Sequence, residues 1–135
     1  MITGLGFVSV LVNDPDKSAK WYRDKLGFEI VENKGHAVYL RPKGSSFPLV
    51  HLCGKCDDWG EEKPGGRAGI WFSSGKVRIK KFKKLSLPFG DPADVEKTYR
   101  ELKRKGVEFA QELTKTPWGK IAIFRDLDGN EFEIS

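Results

Sequence analysis

Residues 13–30 read NDPDKSAKWYRDKLGFEI, and residues 90–109 read GDPADVEKTYRELKRKGVEF. The first stretch has the grammar of a helix set between two strands. Asp14 suits an N-cap and Pro15 the first helical position, Ala19, Tyr22 and Leu26 recur at helical spacing, and Gly27 supplies the stop. Strand-like apolar runs flank it at residues 6–12 and 28–31. In the second stretch Asp91-Pro92 repeats Asp14-Pro15, Tyr99 repeats Tyr22, and Gly106-Val107-Glu108-Phe109 repeats Gly27-Phe28-Glu29-Ile30.

The repetition extends outward. Residues 35–41, GHAVYLR, resemble residues 119–125, GKIAIFR, and each is followed by a turn and a last strand. In the final strand, after the turn signal Asp128-Gly129, alternation puts Phe132 and Ile134 on one face and Glu131, Glu133 and Ser135 on the other. The order is thus strand, helix and three strands, written twice. One half alone leaves an apolar sheet face uncovered, so the halves are expected to pack together. This predicts one domain over 1–135, with module one at about 1–53, a linker or insertion at about 54–83 and module two at about 84–135.

Composition bounds the function classes. Hydrophobic residues at 39% and charged residues at 32% fit a globular domain with a charged surface. No apolar run approaches the roughly 20 residues of a membrane helix, and the run at 6–12 lacks the basic start of a signal peptide, so a cytoplasmic address and no membrane partner are expected. The net charge of +5 arises from 24 basic and 19 acidic residues, a mixed surface rather than a nucleic-acid footprint.

The two repeats, together with residues 116–134, TPWGKIAIFRDLDGNEFEI, resemble the vicinal oxygen chelate superfamily of glyoxalases, bleomycin resistance proteins and extradiol dioxygenases. The closing F-x-D-x-D-G-N-x-x-E pattern, Phe124 to Glu133, is the most specific part. The resemblance implies an α+β fold. Tandem βαβββ modules would form a cupped, open eight-stranded mixed barrel with a helix on the outside of each half, and an extra strand or hairpin would lie near 69–87. It also implies a homodimer. In metal-dependent relatives the first and last strands of each module each aim a ligand into the cup. Residue by residue, the last-strand places are Glu133 and His51, both competent for zinc, nickel, manganese or iron. The first-strand place seven positions before Asp14 is Phe7, and the matching count from Asp91 reaches Lys84; a shifted register offers Gly69, Ile70 or Trp71. None of these is a usual ligand. The leading expectation is therefore a small-molecule binder without a metal, with Phe7, Ser9, Tyr39, His51, Trp71 and Glu133 lining the cup around an apolar or aromatic ligand.

Two alternatives stand beside it. One is a metal-dependent lyase or isomerase, dioxygenase or epoxide-opening transferase using His51 and Glu133 as catalytic groups, completed by Cys53, Cys56, His36 or a partner subunit. If Glu133 meets His51, the carboxylate would raise the imidazole pKa and make an acid/base pair. The other is an interaction protein using the basic segment 76–84 on an acidic partner, against the simpler reading of that segment as a strand with a solvated charged face.

Each residue also has a plainer reading. Glu133 fits a solvent-facing strand position, and His51 a hydrogen-bonded, inert histidine. Cys53-x-x-Cys56, near His36, Asp57 and Asp58, lacks the second pair of a zinc ribbon and reads as a strand end. Trp21 and Trp118 read as structural, whereas Trp59 and Trp71 are available to a pocket.

Overall fold

The computed structural model describes residues 5–44, 49–54, 68–72, 94–117 and 119–134. The elements are β1 (Leu5–Leu11), α1 (Pro15–Leu26), β2 (Phe28–Asn33), β3 (Ala37–Pro42), β4 (Leu49–Cys53), β5 (Ala68–Phe72), α2 (Val95–Arg104), β6 (Phe109–Thr116), β7 (Gly119–Arg125) and β8 (Glu131–Ile134). Among the described residues strand, helix and three strands occur twice, with β5 lying inside the stretch 54–83 expected as a linker or insertion. No helix among the described residues is long and apolar enough to cross a membrane.

Local chemistry sets the helix ends. The Asp14 carboxylate accepts from the backbone N–H groups of Asp16 and Lys17 at 3.0 and 3.1 Å, satisfying donors that the first turn leaves open. Gly27 closes α1 at φ 73°, a left-handed geometry that costs glycine little. In α2 the cap is Asp94, which accepts from Lys97 N at 2.9 Å. The expected counterpart of Asp14, Asp91, lies outside the described residues. Counted from the caps, Tyr22 matches Leu102 rather than Tyr99, and both Tyr22 and Leu102 are buried.

The strands form a five-stranded sheet in the order β2-β3-β4-β1-β5 and a three-stranded sheet in the order β6-β7-β8. Strands β1 and β4 run parallel, while β5 adds antiparallel to the other edge of β1. The fold is α+β, with two sheets and few helices. Among the described residues no ladder joins β5 to β8. Of the extra strand or hairpin expected near 69–87, residues up to 72 belong to β5 and the rest lie outside the described residues.

Each helix packs on one sheet, α1 against β2, β3 and β4, and α2 against β6, β7 and β8. A single buried cluster joins the halves, with Val10, Val38, Leu40, Val50 and Leu52 from the first sheet and Ala122, Phe124, Phe132 and Ile134 from the second. Tyr22 sits at the junction, with ring centroids 5.8 Å from Phe28 and 6.2 Å from Phe132.

The junction is fastened by Asp126. Its Oδ2 accepts from the Tyr22 hydroxyl at 2.7 Å and from Asn130 Nδ2 at 2.9 Å, and its Oδ1 accepts from the backbone N–H of Asp128 and of Asn130, each at 2.9 Å. Asn130 Nδ2 also reaches the Leu11 carbonyl at 3.1 Å, and Asp128 Oδ1 accepts from Asn13 N and Nδ2 at 3.0 and 2.8 Å. The D-L-D-G-N turn thus ties the end of β1 and the middle of α1 to the second sheet.

Burial raises the Asp126 carboxyl above its usual range, and the donors from Asn130, Tyr22 and Asp128 only partly offset this. Removing a donor should therefore hurt less than removing the acceptor. Tyr22→Phe is expected to lower unfolding free energy by about 1–2 kcal/mol. Asp126→Ala, which orphans several buried donors at once, should lower it by about 3 kcal/mol or more. Urea unfolding checks the order; equal losses, or a larger loss for Tyr22→Phe, would contradict it.

Candidate ligand-binding face

The pleat gives the five-stranded sheet two unlike faces. Val8, Val10, Val38, Leu40, Val50 and Leu52 are buried on one. Alternation sends Phe7, Ser9, Tyr39 and His51 to the other. The ladders put Ser9 opposite His51 across the β1–β4 pair, and His51 opposite Tyr39 across the β3–β4 pair.

Four of the six residues expected to line a ligand site therefore converge. The Tyr39 and His51 rings stack at 4.6 Å with planes 20° apart. Phe7 meets both edge-on, at 5.7 Å from Tyr39 and 5.1 Å from His51. The buried Ser9 Oγ lies 2.7 Å from His51 Nδ1. Phe7, Tyr39 and His51 are only half-buried, so this aromatic patch keeps contact with solvent. Trp71 is the register partner of Phe7 on β5, and its side chain is outside the described residues.

Glu133 is placed elsewhere. It is half-buried on β8, opposite Ile123, on the face away from the buried Phe132 and Ile134. Among the described residues no hydrogen bond or ion pair joins it to His51. The His51 pKa also moves in the direction opposite to that such an acid/base pair would give. Burial pushes the His51 pKa down to about 4, and the positive charges of His36 and Lys34 add to the shift. A neighbouring carboxylate would have moved it the other way, and His51 is neutral at neutral pH.

Lys34 was not foreseen from the sequence. Its Nζ lies 5.5 Å from the Tyr39 ring centroid, carried there by the turn between β2 and β3, and it forms an exposed ion pair with Glu32 at 3.6 Å. The only sequence signal is its place in the E-N-K-G-H turn just before the strand that bears Tyr39. His36, in the same turn, is exposed, and its carbonyl accepts from Gly54 N at 3.0 Å.

Among the described residues the remaining candidates do not build a second centre. Among the described residues no group of three or more His, Cys, Asp or Glu side chains is arranged to hold a metal ion. Among the described residues the donor set falls short of the three protein ligands of a mononuclear catalytic site: the first-strand place of module one holds the phenyl ring of Phe7, which leaves His51 and Glu133. Cys53 is buried at the end of β4, with its Sγ donating to the Gly54 carbonyl at 3.1 Å. Cys56, Asp57, Asp58, Trp59, the basic segment 76–84 with Lys84, and Trp118 lie outside the described residues. Trp21 packs against the core and meets Tyr22 at 5.5 Å, which fits its structural reading. A cleft of about 430 Å³ along α2 is lined by charged residues of that one helix, including Glu96 and Arg100, and contains none of the expected site residues.

Two β-α-β-β-β halves with a shared core and an aromatic sheet face define a glyoxalase-like class of α+β proteins. Residues 4–134 match the Glyoxalase/Bleomycin resistance protein/Dioxygenase superfamily, and the chain belongs to it. Uncharacterized protein YurT of Bacillus subtilis is 34% identical over 132 residues, covering 93% of each chain. A crystal structure of a superfamily member from Sphaerobacter thermophilus is similar at TM-score 0.68 and 25% identity, covering 99% of this chain and 97% of that one. The antibiotic binding protein TnmS3 from Streptomyces sp. CB03234 is similar at TM-score 0.68 and 24% identity, covering 99% and 95%.

The neutral state of His51 has a measurable signature. Its folded-state pKa of about 4 lies below the ordinary histidine value, so the unfolded chain binds more protons between the two. The stability that neutral His51 contributes is complete above about pH 6.5 and is lost progressively as pH falls toward its folded pKa. NMR titration of the ring should give a midpoint near 4. A midpoint at the ordinary value of about 6.5 would contradict the effect of burial, and one raised above it would point to a carboxylate partner.

Proposed function

We propose that the protein binds a small planar organic molecule on the Phe7, Tyr39 and His51 face without a metal. The observation that carries this reading is the convergence of three ring systems and the Ser9–His51 hydrogen bond on one half-open sheet face. Small-molecule sites are mostly apolar or aromatic walls with a few polar groups that fix orientation, and this face has that composition. The likeness to an antibiotic binding protein agrees with such a role.

In this reading the whole chain is one domain, and its eight strands curve into an open cup. Trp71 and Glu133 complete the wall, and two copies pair as a dimer. His51, neutral and held by Ser9, offers a hydrogen-bonding edge and a stacking surface rather than a charge. The enzyme alternative would need its missing metal ligands from residues outside this face.

The test uses protein stripped with EDTA and naphthalene-2-methanol, a neutral planar probe, followed by calorimetry and by NMR of the His51 ring. Binding should shift the His51 resonances. An aromatic contact contributes about 0.5–1.5 kcal/mol, so Phe7→Ala and Tyr39→Leu should each weaken binding about three- to tenfold. Binding that appears only after adding zinc, nickel, manganese or ferrous iron would contradict the proposal, as would binding indifferent to both substitutions.

A further inference from the structure

Among the described residues a lysine overhangs the aromatic face, and Glu32 is the register partner of Tyr39 on the neighbouring strand. Lys34 Nζ stands 5.5 Å from the centroid of the Tyr39 ring, which itself stacks on His51 at 4.6 Å. The turn that carries Lys34 is pinned by its own N–H donating to the Ala37 carbonyl at 2.8 Å, just where β3 begins. The same turn carries His36, and both residues lower the His51 pKa, after the larger effect of burial.

The carboxylates nearby are accounted for. Glu32 lies 3.6 Å from Lys34 Nζ, but both side chains are about half exposed, and such pairs are weak and screened. It leaves the ammonium available to a ligand. Glu29 is engaged with Arg41, Nε to Oε2 at 3.3 Å. Glu133 is on the other sheet, and among the described residues no ion pair or hydrogen bond links it to Lys34, Tyr39 or His51.

We infer that this face selects a planar aromatic anion, a carboxylate or phenolate whose ring lies against Phe7, Tyr39 and His51 and whose acidic group meets Lys34. The inference rests on the binding role proposed above and adds the charge class of the ligand. A cation would face Lys34 across a short, partly desolvated distance, where like charges repel more strongly than in bulk water. A neutral ring keeps the stacking surface but makes no ion pair. The chain's net charge of +5 favours the encounter with anions in the same direction.

The experiment compares 2-naphthoate, naphthalene-2-methanol and 2-naphthylmethylammonium by calorimetry at low and high salt, with His51 ring shifts as the reporter of location. On the wild-type protein naphthoate should bind about tenfold or more tighter than the ammonium probe, with the alcohol between them, and salt should narrow the gap. Lys34→Gln should bring the three within about threefold, Lys34→Arg should restore the order, and Lys34→Glu should reverse it. Lys34 is exposed, so these variants leave the core intact.

Equal affinities on the wild-type protein, or an order unchanged by Lys34→Gln, would overturn the charge inference while leaving the binding face standing. Failure of all three probes to bind or to shift the His51 resonances would overturn the binding role itself.

Discussion

The Asp126 carboxylate, buried and surrounded by donors, is the constraint on which the rest of the molecule depends. It accepts from Tyr22 on α1, 104 positions earlier, while organising its own turn through Asp128 and Asn130. Asn130 then extends the grip to the carbonyl at the end of β1. A buried carboxylate is a poor source of net stability, because desolvation works against its charge. Its role here is geometric: the donors it gathers come from both halves of the chain. The most family-specific stretch of the chain is therefore mainly a fastening, and Glu133 is the one member of the pattern placed on the opposite strand face from the fastened core.

Fixing β1 has a chemical consequence. The parallel β1–β4 pair, made possible by the crossover through α1, sets Ser9 beside His51. The alternation that buries Val8 and Val10 leaves Phe7 and Ser9 on the reverse face with Tyr39 and His51. Ser9 is almost wholly buried, and His51 meets its hydroxyl. The same contact orients the imidazole. Burial keeps that ring neutral, which suits it to stacking and hydrogen bonding more than to proton transfer near neutral pH.

What the sequence made legible was what depends on period and local caps. The strand-helix-three-strand order followed from the repeat, and the ends of α1 followed from Asp14, Pro15 and Gly27. The start of α2 was misleading, because Asp91 and Asp94 are both competent caps and the Asp-Pro echo points to the first of them. Other features were hidden for physical reasons. The Tyr22–Asp126 bond is a side-chain contact between distant segments, the Lys34 ammonium reaches Tyr39 through a turn, and the pKa of His51 depends on burial that exists only in the folded chain.

Metal stoichiometry is the first measurement to make on the proposed metal-free binding face. Untagged protein would be incubated with zinc, nickel, manganese or ferrous iron, desalted and submitted to elemental analysis beside Glu133→Gln and His51→Gln. No metal should be retained in stoichiometric amount by any of the three. About one equivalent of metal per chain in the wild-type protein, lost in both variants, would establish a ligand pair at His51 and Glu133 and contradict the proposal.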